Sequence, residues 1–433
     1  MERETKIQII SRNTIKPSTP TSHQRREFKL SLLEKTYPSI YGSMIFFYTS
    51  STKINGHSSI FLQNSLAKTL VHFYPFAGRL KGDDLVYCDD EGAYFLEAQT
   101  ASQLCDFLGK PDPKLLNQLL PFKDPKTSNL ATNVVLLVQL TFFSCGGVAI
   151  SACASQKVAD SISLCSFVQT WSAITCEENF LPPNFVGASL FPPGDLPLTL
   201  GFEGKNWTTK RLVFDASKLS NLKEKTAKVL KDSPSNFDLV SAILFKCAIN
   251  AASKSKSRGL RPSVIYQLVN LREKMVTTFP ENNTVGNRVW LFPMLVEESR
   301  VGLFELLAKM RKGMANFCND EANCFEGDDS FSLVSEILRN KEEMLEMGIN
   351  MYSCTSLSNF PLYEMEFGWG KPIWVTCPME FPNLFVLTDA KWGQGIEAWV
   401  SLEEQQMDLF ERQEEILELA SFNPNVTSTY CRM

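Results

Sequence analysis

The sequence predicts a pair of mixed α/β or α+β domains of similar size. Its 433 residues are too many for one ordinary core. Strand-like and helix-like apolar patterns alternate in both halves. Between the halves lies 181–210, rich in Pro, Gly and Asn and without sustained periodicity. The expected organisation is a domain over 1–180, a crossover over 181–210 and a second domain over 211–433.

In the first half the longest apolar run, 134–154, is interrupted by Gln139, Ser144 and Gly146-Gly147. Two buried strands joined by a turn account for it better than a membrane span does. Residues 60–73 place Leu62, Leu66 and Leu70 on one helical stripe, which Pro75 ends. Residues 158–174 repeat the pattern with Ile162, Cys165, Val168 and Trp171. In the second half, helices are expected over 238–251, 302–316, 331–347 and 402–419. Strands are expected over 263–270, 287–294 and 373–377. Residues 384–388 and 396–401 flank Lys391-Trp392-Gly393-Gln394-Gly395, a hairpin signal.

Composition narrows the function classes. Hydrophobic residues at 44% and charged residues at 21% describe a soluble globular protein. A net charge of −5 offers no basic footprint for nucleic acid. Residues 1–6 lack the apolar core of a signal peptide, so a cytoplasmic location without membrane attachment is expected. The twelve cysteines include no CxxC pair and the three histidines no zinc-binding spacing, so no metal is expected. Cys318 and Cys324 are the closest cysteines in sequence, and free thiols are a better reading than a disulfide framework. Asn206, Asn282 and Asn425 open Asn-x-Ser/Thr triplets that carry little weight without a secretory signal.

Five blocks carry the functional signal. They are Ile15-Lys16-Pro17-Ser18-Thr19-Pro20-Thr21; His72-Phe73-Tyr74-Pro75-Phe76-Ala77-Gly78-Arg79-Leu80; Cys145-Gly146-Gly147 running on to Gln156 and Asp160; Val269-Asn270-Leu271-Arg272 followed by Gly286-Asn287; and Glu366-Phe367-Gly368-Trp369-Gly370-Lys371-Pro372. In this order the sequence resembles the BAHD acyltransferases, plant enzymes that move acyl groups from coenzyme A thioesters to alcohols or amines. The first block and the stretch 362–375 are most similar to the branch that acetylates alkaloid hydroxyls. The resemblance implies a chloramphenicol acetyltransferase-like fold: two domains, each a mixed sheet with flanking helices, enclosing a tunnel. It also implies strand exchange near 360–400, a monomer, and acyl-coenzyme A as co-substrate, with acetyl-coenzyme A the expected donor and no resident cofactor.

The same resemblance assigns the site. Gln156 stands where the family carries its general-base histidine, Asp160 is the aspartate that turns away to hold an arginine, and Arg272 matches that arginine. Glu366 replaces the family's usual aspartate, an architectural residue that the resemblance places as a brace of the wall beside the tunnel. The catalytic set is thus Gln156, Asp160 and Glu366, supported by Asn270, Arg272, Gly368, Trp369 and Gly370. Histidine takes and returns a proton near neutral pH, whereas an amide only exchanges hydrogen bonds. Loss of a positioned base costs on the order of 10² to 10⁴ in rate.

Substitutes for the base are few. His23, His57 and His72 read as packed or solvated residues. Asp160 reads as an ion-pair member before a base. Cys153 has no nearby cation or histidine to activate it. Trp369 is either core or tunnel lining, with core favoured. Three functions remain: an acyltransferase using an altered mechanism, another reaction such as elimination or cyclisation in the same tunnel, and a non-catalytic ligand-binding relative.

Overall fold

Two large sheets account for most of the backbone pairing in the computed structural model. The structure describes residues 6–54, 57–123, 133–194, 196, 207–255, 261–273, 283–297, 301–317, 330–391 and 395–426. The first sheet runs, edge to edge, Ile7–Ile15, Ala93–Thr100, Leu136–Phe143, Val148–Ser155, Tyr41–Tyr48 and Trp374–Thr376. The second runs Val289–Val296, Ser263–Asn270, Asn350–Ser356, Leu384–Asp389, Gly395–Glu403, Trp207–Asp215 and Ala420–Phe422. Both mix parallel and antiparallel neighbours. A small third sheet joins Glu27–Lys29, Leu85–Tyr87 and Arg79–Lys81.

The local signals explain these elements. The apolar run at 134–154 folds into Leu136–Phe143 and Val148–Ser155, paired antiparallel, and the second of these is buried along its whole length. A strand buried on both faces needs no polar alternation, which is why the run is nearly continuous. The helix Ser58–His72 buries Leu62, Leu66 and Leu70 on one stripe, as expected. The helix Ser161–Thr175 buries Cys165, Val168 and Trp171 beside it, whereas Ile162 is only half-buried.

Four expectations change. The helix expected from 158 starts at Ser161, because the Asp160 side chain caps it by accepting from the Ser163 N–H at 2.8 Å. The single helix expected over 402–419 is two short ones, Glu404–Phe410 and Glu414–Leu419. Leu402 instead belongs to the strand Gly395–Glu403, opposite Thr208, where its side chain is fully buried. The crossover expected to reach 210 ends earlier, at the strand beginning with Trp207. The expected strand 287–294 is displaced to Val289–Val296, since Asn287 is engaged elsewhere.

Other positions fall outside the described residues: Cys318, Cys324, Asn206, Asn282, the 392–394 hairpin turn and much of the crossover. The described cysteines are free thiols. Among the described residues, no helix is long and apolar enough to cross a membrane.

The strand Trp374–Thr376 comes from deep in the second half yet completes the first sheet, pairing with Tyr41–Tyr48. Trp374 stacks on Phe47 with ring centroids 5.3 Å apart, and the Arg211 guanidinium lies 5.1 Å from its ring. Its indole N–H donates to Glu397 Oε2 at 3.2 Å, and the same oxygen accepts from Arg211 Nη2 at 2.7 Å. One buried indole thus joins a strand of each sheet. Trp374→Ala should destabilise the protein by roughly 3–5 kcal/mol, seen as a lower urea midpoint.

Candidate active site

Where Val148–Ser155 ends, the chain turns sharply. The Gln156 N–H donates to the Ile40 carbonyl at 2.9 Å, and Ser155 O accepts from the Val158 and Ala159 N–H groups at 2.9 and 3.0 Å. This turn places Gln156 outside the helix that Asp160 caps. The Gln156 side chain lies over Gly42 of the neighbouring strand, where a Cβ would stand 3.4 Å from Nε2. Among the described residues the side-chain amide makes no hydrogen bond, and Gln156 lines a cavity of about 520 Å³.

Both halves line that cavity. The first supplies Tyr37, Gln156, Asp160, Ser161 and Ile162. The second supplies alternate residues of its sheet: Tyr266, Leu268 and Asn270; Val289 and Leu291; Met351, Ser353 and Thr355. The period of two means that one face of the second sheet forms the wall. Arg261 and Lys341 bring positive charge to the lining. Burial lowers the Lys341 ammonium to about 8.

Beside Gln156 lies a saturated ion pair. Arg272 Nη1 stands 2.7 Å from Asp160 Oδ2, and both side chains are buried. Asp160 Oδ1 also accepts from Ser163 N–H and from Arg272 Nη2 at 3.3 Å, and Oδ2 accepts from the Arg288 N–H at 3.0 Å. The remaining Arg272 donors reach Thr284 O at 3.0 Å, Ser163 Oγ at 3.0 Å, Gly286 O at 2.8 Å and Asn270 Oδ1 at 3.3 Å. Two acceptances per carboxylate oxygen leave Asp160 no free lone pair with which to take a substrate proton.

With fold and site in place, comparison with known proteins is decisive. Residues 5–417 match the Transferase family model. The chain belongs to this family, the BAHD acyltransferases. Akuammiline synthase 1 from Alstonia scholaris is 35% identical, over 96% of this chain and 98% of that protein. Salutaridinol 7-O-acetyltransferase from Papaver somniferum is 32% identical, over 95% and 98% respectively. The crystal structure of vinorine synthase, 29% identical, superposes with a TM-score of 0.83 over 97% of this chain and 100% of that one. The fold is therefore the two-domain mixed α/β arrangement of the chloramphenicol acetyltransferase type.

Within this BAHD fold the sequence-derived residues separate into two groups. Gln156, Asp160 and Asn270 line the cavity, and Arg272 is bonded to Asp160 and Asn270 behind them. Glu366, Gly368, Trp369 and Gly370 do not line it. The Glu366 backbone is held by Ser172, whose Oγ donates to Glu366 O at 2.7 Å and accepts from its N–H at 2.9 Å. Ser172 lies twelve residues beyond Asp160, roughly 18 Å along the helix. Away from the cavity lining, Glu366 Oε1 accepts from the Gly370 N–H at 3.1 Å and closes its own loop. Gly368 and Gly370 have φ of +88° and +111°, which side chains resist. Trp369 packs edge-on to Tyr48 with centroids 6.0 Å apart, against the first core, and is absent from the cavity lining.

None of the three histidines lines the cavity. His72 ends its helix with its ring 4.8 Å from Phe180, and burial lowers its pKa. Cys153 is fully buried opposite Ser43, and burial pushes its thiol well up. The Tyr37 hydroxyl is spent on Val289 O at 3.1 Å.

Sequence reasoning missed Glu34, Arg288, Lys341 and Arg261. Ser31-Leu32-Leu33-Glu34 carries a capping-box spacing that could have flagged the first: the Glu34 side chain accepts from the Ser31 N–H at 2.6 Å. Glu34 is buried beside Arg288, and burial raises its carboxyl to about 7. Burial and the adjacent Arg272 lower Arg288 to about 10. Arg272→Ala would strand the Asp160 charge. It should cost roughly 3–5 kcal/mol by urea unfolding at pH 7.

Proposed function

We propose that this protein is an acyl-coenzyme A-dependent acyltransferase of plant specialised metabolism, acting on a small-molecule alcohol by O-acylation, with an amine as the alternative acceptor. In this reading Gln156 occupies the position of the family's general-base histidine, and the domains divide across the segment that ends at the strand Trp207–Asp215. The observation that carries the reading is Gln156 in the lining of the shared cavity, four residues before a saturated Asp160–Arg272 pair. Relatives named for acetyl transfer to hydroxyls support the reaction class.

The proposed chemistry balances without a protein base at Gln156. The acceptor oxygen adds to the thioester carbonyl, the C–S bond breaks, and the coenzyme A thiolate takes the acceptor's proton. A basic amine on the acceptor itself can carry that proton between them. The Gln156 amide N–H groups would orient the hydroxyl or hold the developing oxyanion. Arg261 and Lys341 would meet the phosphates of coenzyme A, which carry the negative charge.

A second reading, elimination or cyclisation in the same cavity, is favoured by the lack of a free proton acceptor at Asp160. Incubation with acyl thioesters and plant alcohols, scored by mass spectrometry, separates the two. The expected result is an ester from the native protein and a gain of about 10²-fold or more in Gln156→His. Tight thioester binding with no ester from any pair would overturn the reading. So would loss of an unrelated native activity in Gln156→His.

Lys341 gives a pH signature. Its ammonium is charged below about 8 and neutral above it. Coenzyme A phosphates keep their charge over that range, so affinity should weaken as pH rises from 7 to 9. Calorimetry on Lys341→Met should show weaker binding at pH 7 and a flat profile.

A further inference from the structure

Three consecutive residues of the second half grip the turn that carries Gln156. The Gly286 N–H donates to Ser163 Oγ at 3.0 Å. Asn287 Nδ2 donates to the Gln156 carbonyl at 2.8 Å. The Arg288 N–H donates to Asp160 Oδ2 at 3.0 Å. Gln156 is therefore fixed at both main-chain polar groups, its N–H by Ile40 and its carbonyl by Asn287.

Asn287 is itself immobilised. It is buried, its N–H donates to Glu34 Oε1 at 3.3 Å, and its Oδ1 accepts from the Val289 N–H at 3.4 Å. Glu34 is anchored in turn by the Ser31 N–H. A line of hydrogen bonds thus runs from the capped helix Leu32–Thr36, through Asn287, to the residue at the cavity.

We propose that Asn287 is a positioning residue for Gln156, stapling its backbone to the second half so that its amide faces the acyl-transfer site. The function of the staple rests on the acyltransferase reading, but the staple itself does not. A side chain aimed at a reacting centre must be held within a fraction of an ångström, and its backbone is the part the fold can fix. Replacing Asn287 removes the donor from a partly buried hydrogen bond to the Gln156 carbonyl.

Two variants of the full chain test this. Asn287→Ala deletes the donor. Asn287→Asp is nearly isosteric, keeps the fold if Ala does not, and offers no donor when ionised. Hydrogen exchange by mass spectrometry on peptides covering Gln156 should be about tenfold faster in both variants, corrected for intrinsic rates, with peptides at Trp399 unchanged. In the acyl-transfer assay kcat should fall about tenfold or more, with KM for acetyl-coenzyme A within about twofold. In Asn287→Asp, activity should recover as the carboxyl becomes protonated and regains a donor.

Unchanged exchange at Gln156 overturns the proposal whatever the activity, as does a raised KM with kcat preserved. A native protein that binds thioesters but transfers nothing sinks the acyltransferase reading alone. Exchange still decides whether the staple exists.

Discussion

The buried ion pair between Asp160 and Arg272 is the constraint that organises the site. A buried carboxylate or guanidinium is tolerated only when its hydrogen-bonding capacity is filled. Filling it here recruits Ser163 and the helix start from the first half, and Asn270, Thr284, Gly286 and Arg288 from the second. Each recruited group fixes a backbone position, so the pair acts as a register mark between the halves. Such pairs contribute little net stability compared with apolar packing, and their value lies in specifying one arrangement.

The same saturation sets the chemical problem at the cavity. The carboxylate nearest Gln156 is committed to arginine and backbone donors, the tyrosine hydroxyl to a carbonyl, and the cysteine to the core. Gln156 brings to the lining an amide, which exchanges hydrogen bonds but does not titrate near neutral pH. On the proposed reading, the burden of moving the proton shifts from the protein to the reactants. Rate then depends on placement and electrostatics, and placement depends on how firmly the Gln156 backbone is held.

The sequence conveyed the fold well because its strongest signals were local. The buried stripes at Leu62, Leu66 and Leu70 and at Cys165, Val168 and Trp171 follow from helical period alone. The 134–154 hairpin follows from one interrupted apolar run. Errors fell where tertiary pairing outweighed local pattern: Leu402 fits a helical stripe, but its place opposite Thr208 assigns it to a strand. The site was read less completely. Gln156, Asp160 and Arg272 came from motif resemblance, and so did Glu366, which braces a loop at the far end of the helix. Glu34 and Arg288 escaped notice because they stand far apart in sequence. Nothing local announces that a capping glutamate will be buried against a distant arginine.

The strand Trp374–Thr376 has a consequence for biogenesis. Until the ribosome has passed Thr376, the edge of Tyr41–Tyr48 that it covers offers unpaired N–H and C=O groups beside a row of aromatic and aliphatic side chains. Such edges invite intermolecular pairing. The nascent first half must therefore wait, half-finished, for its last strand, and a fragment cut after the crossover would carry a permanently sticky flank. The order in which this chain is threaded leaves that edge uncovered until late in synthesis.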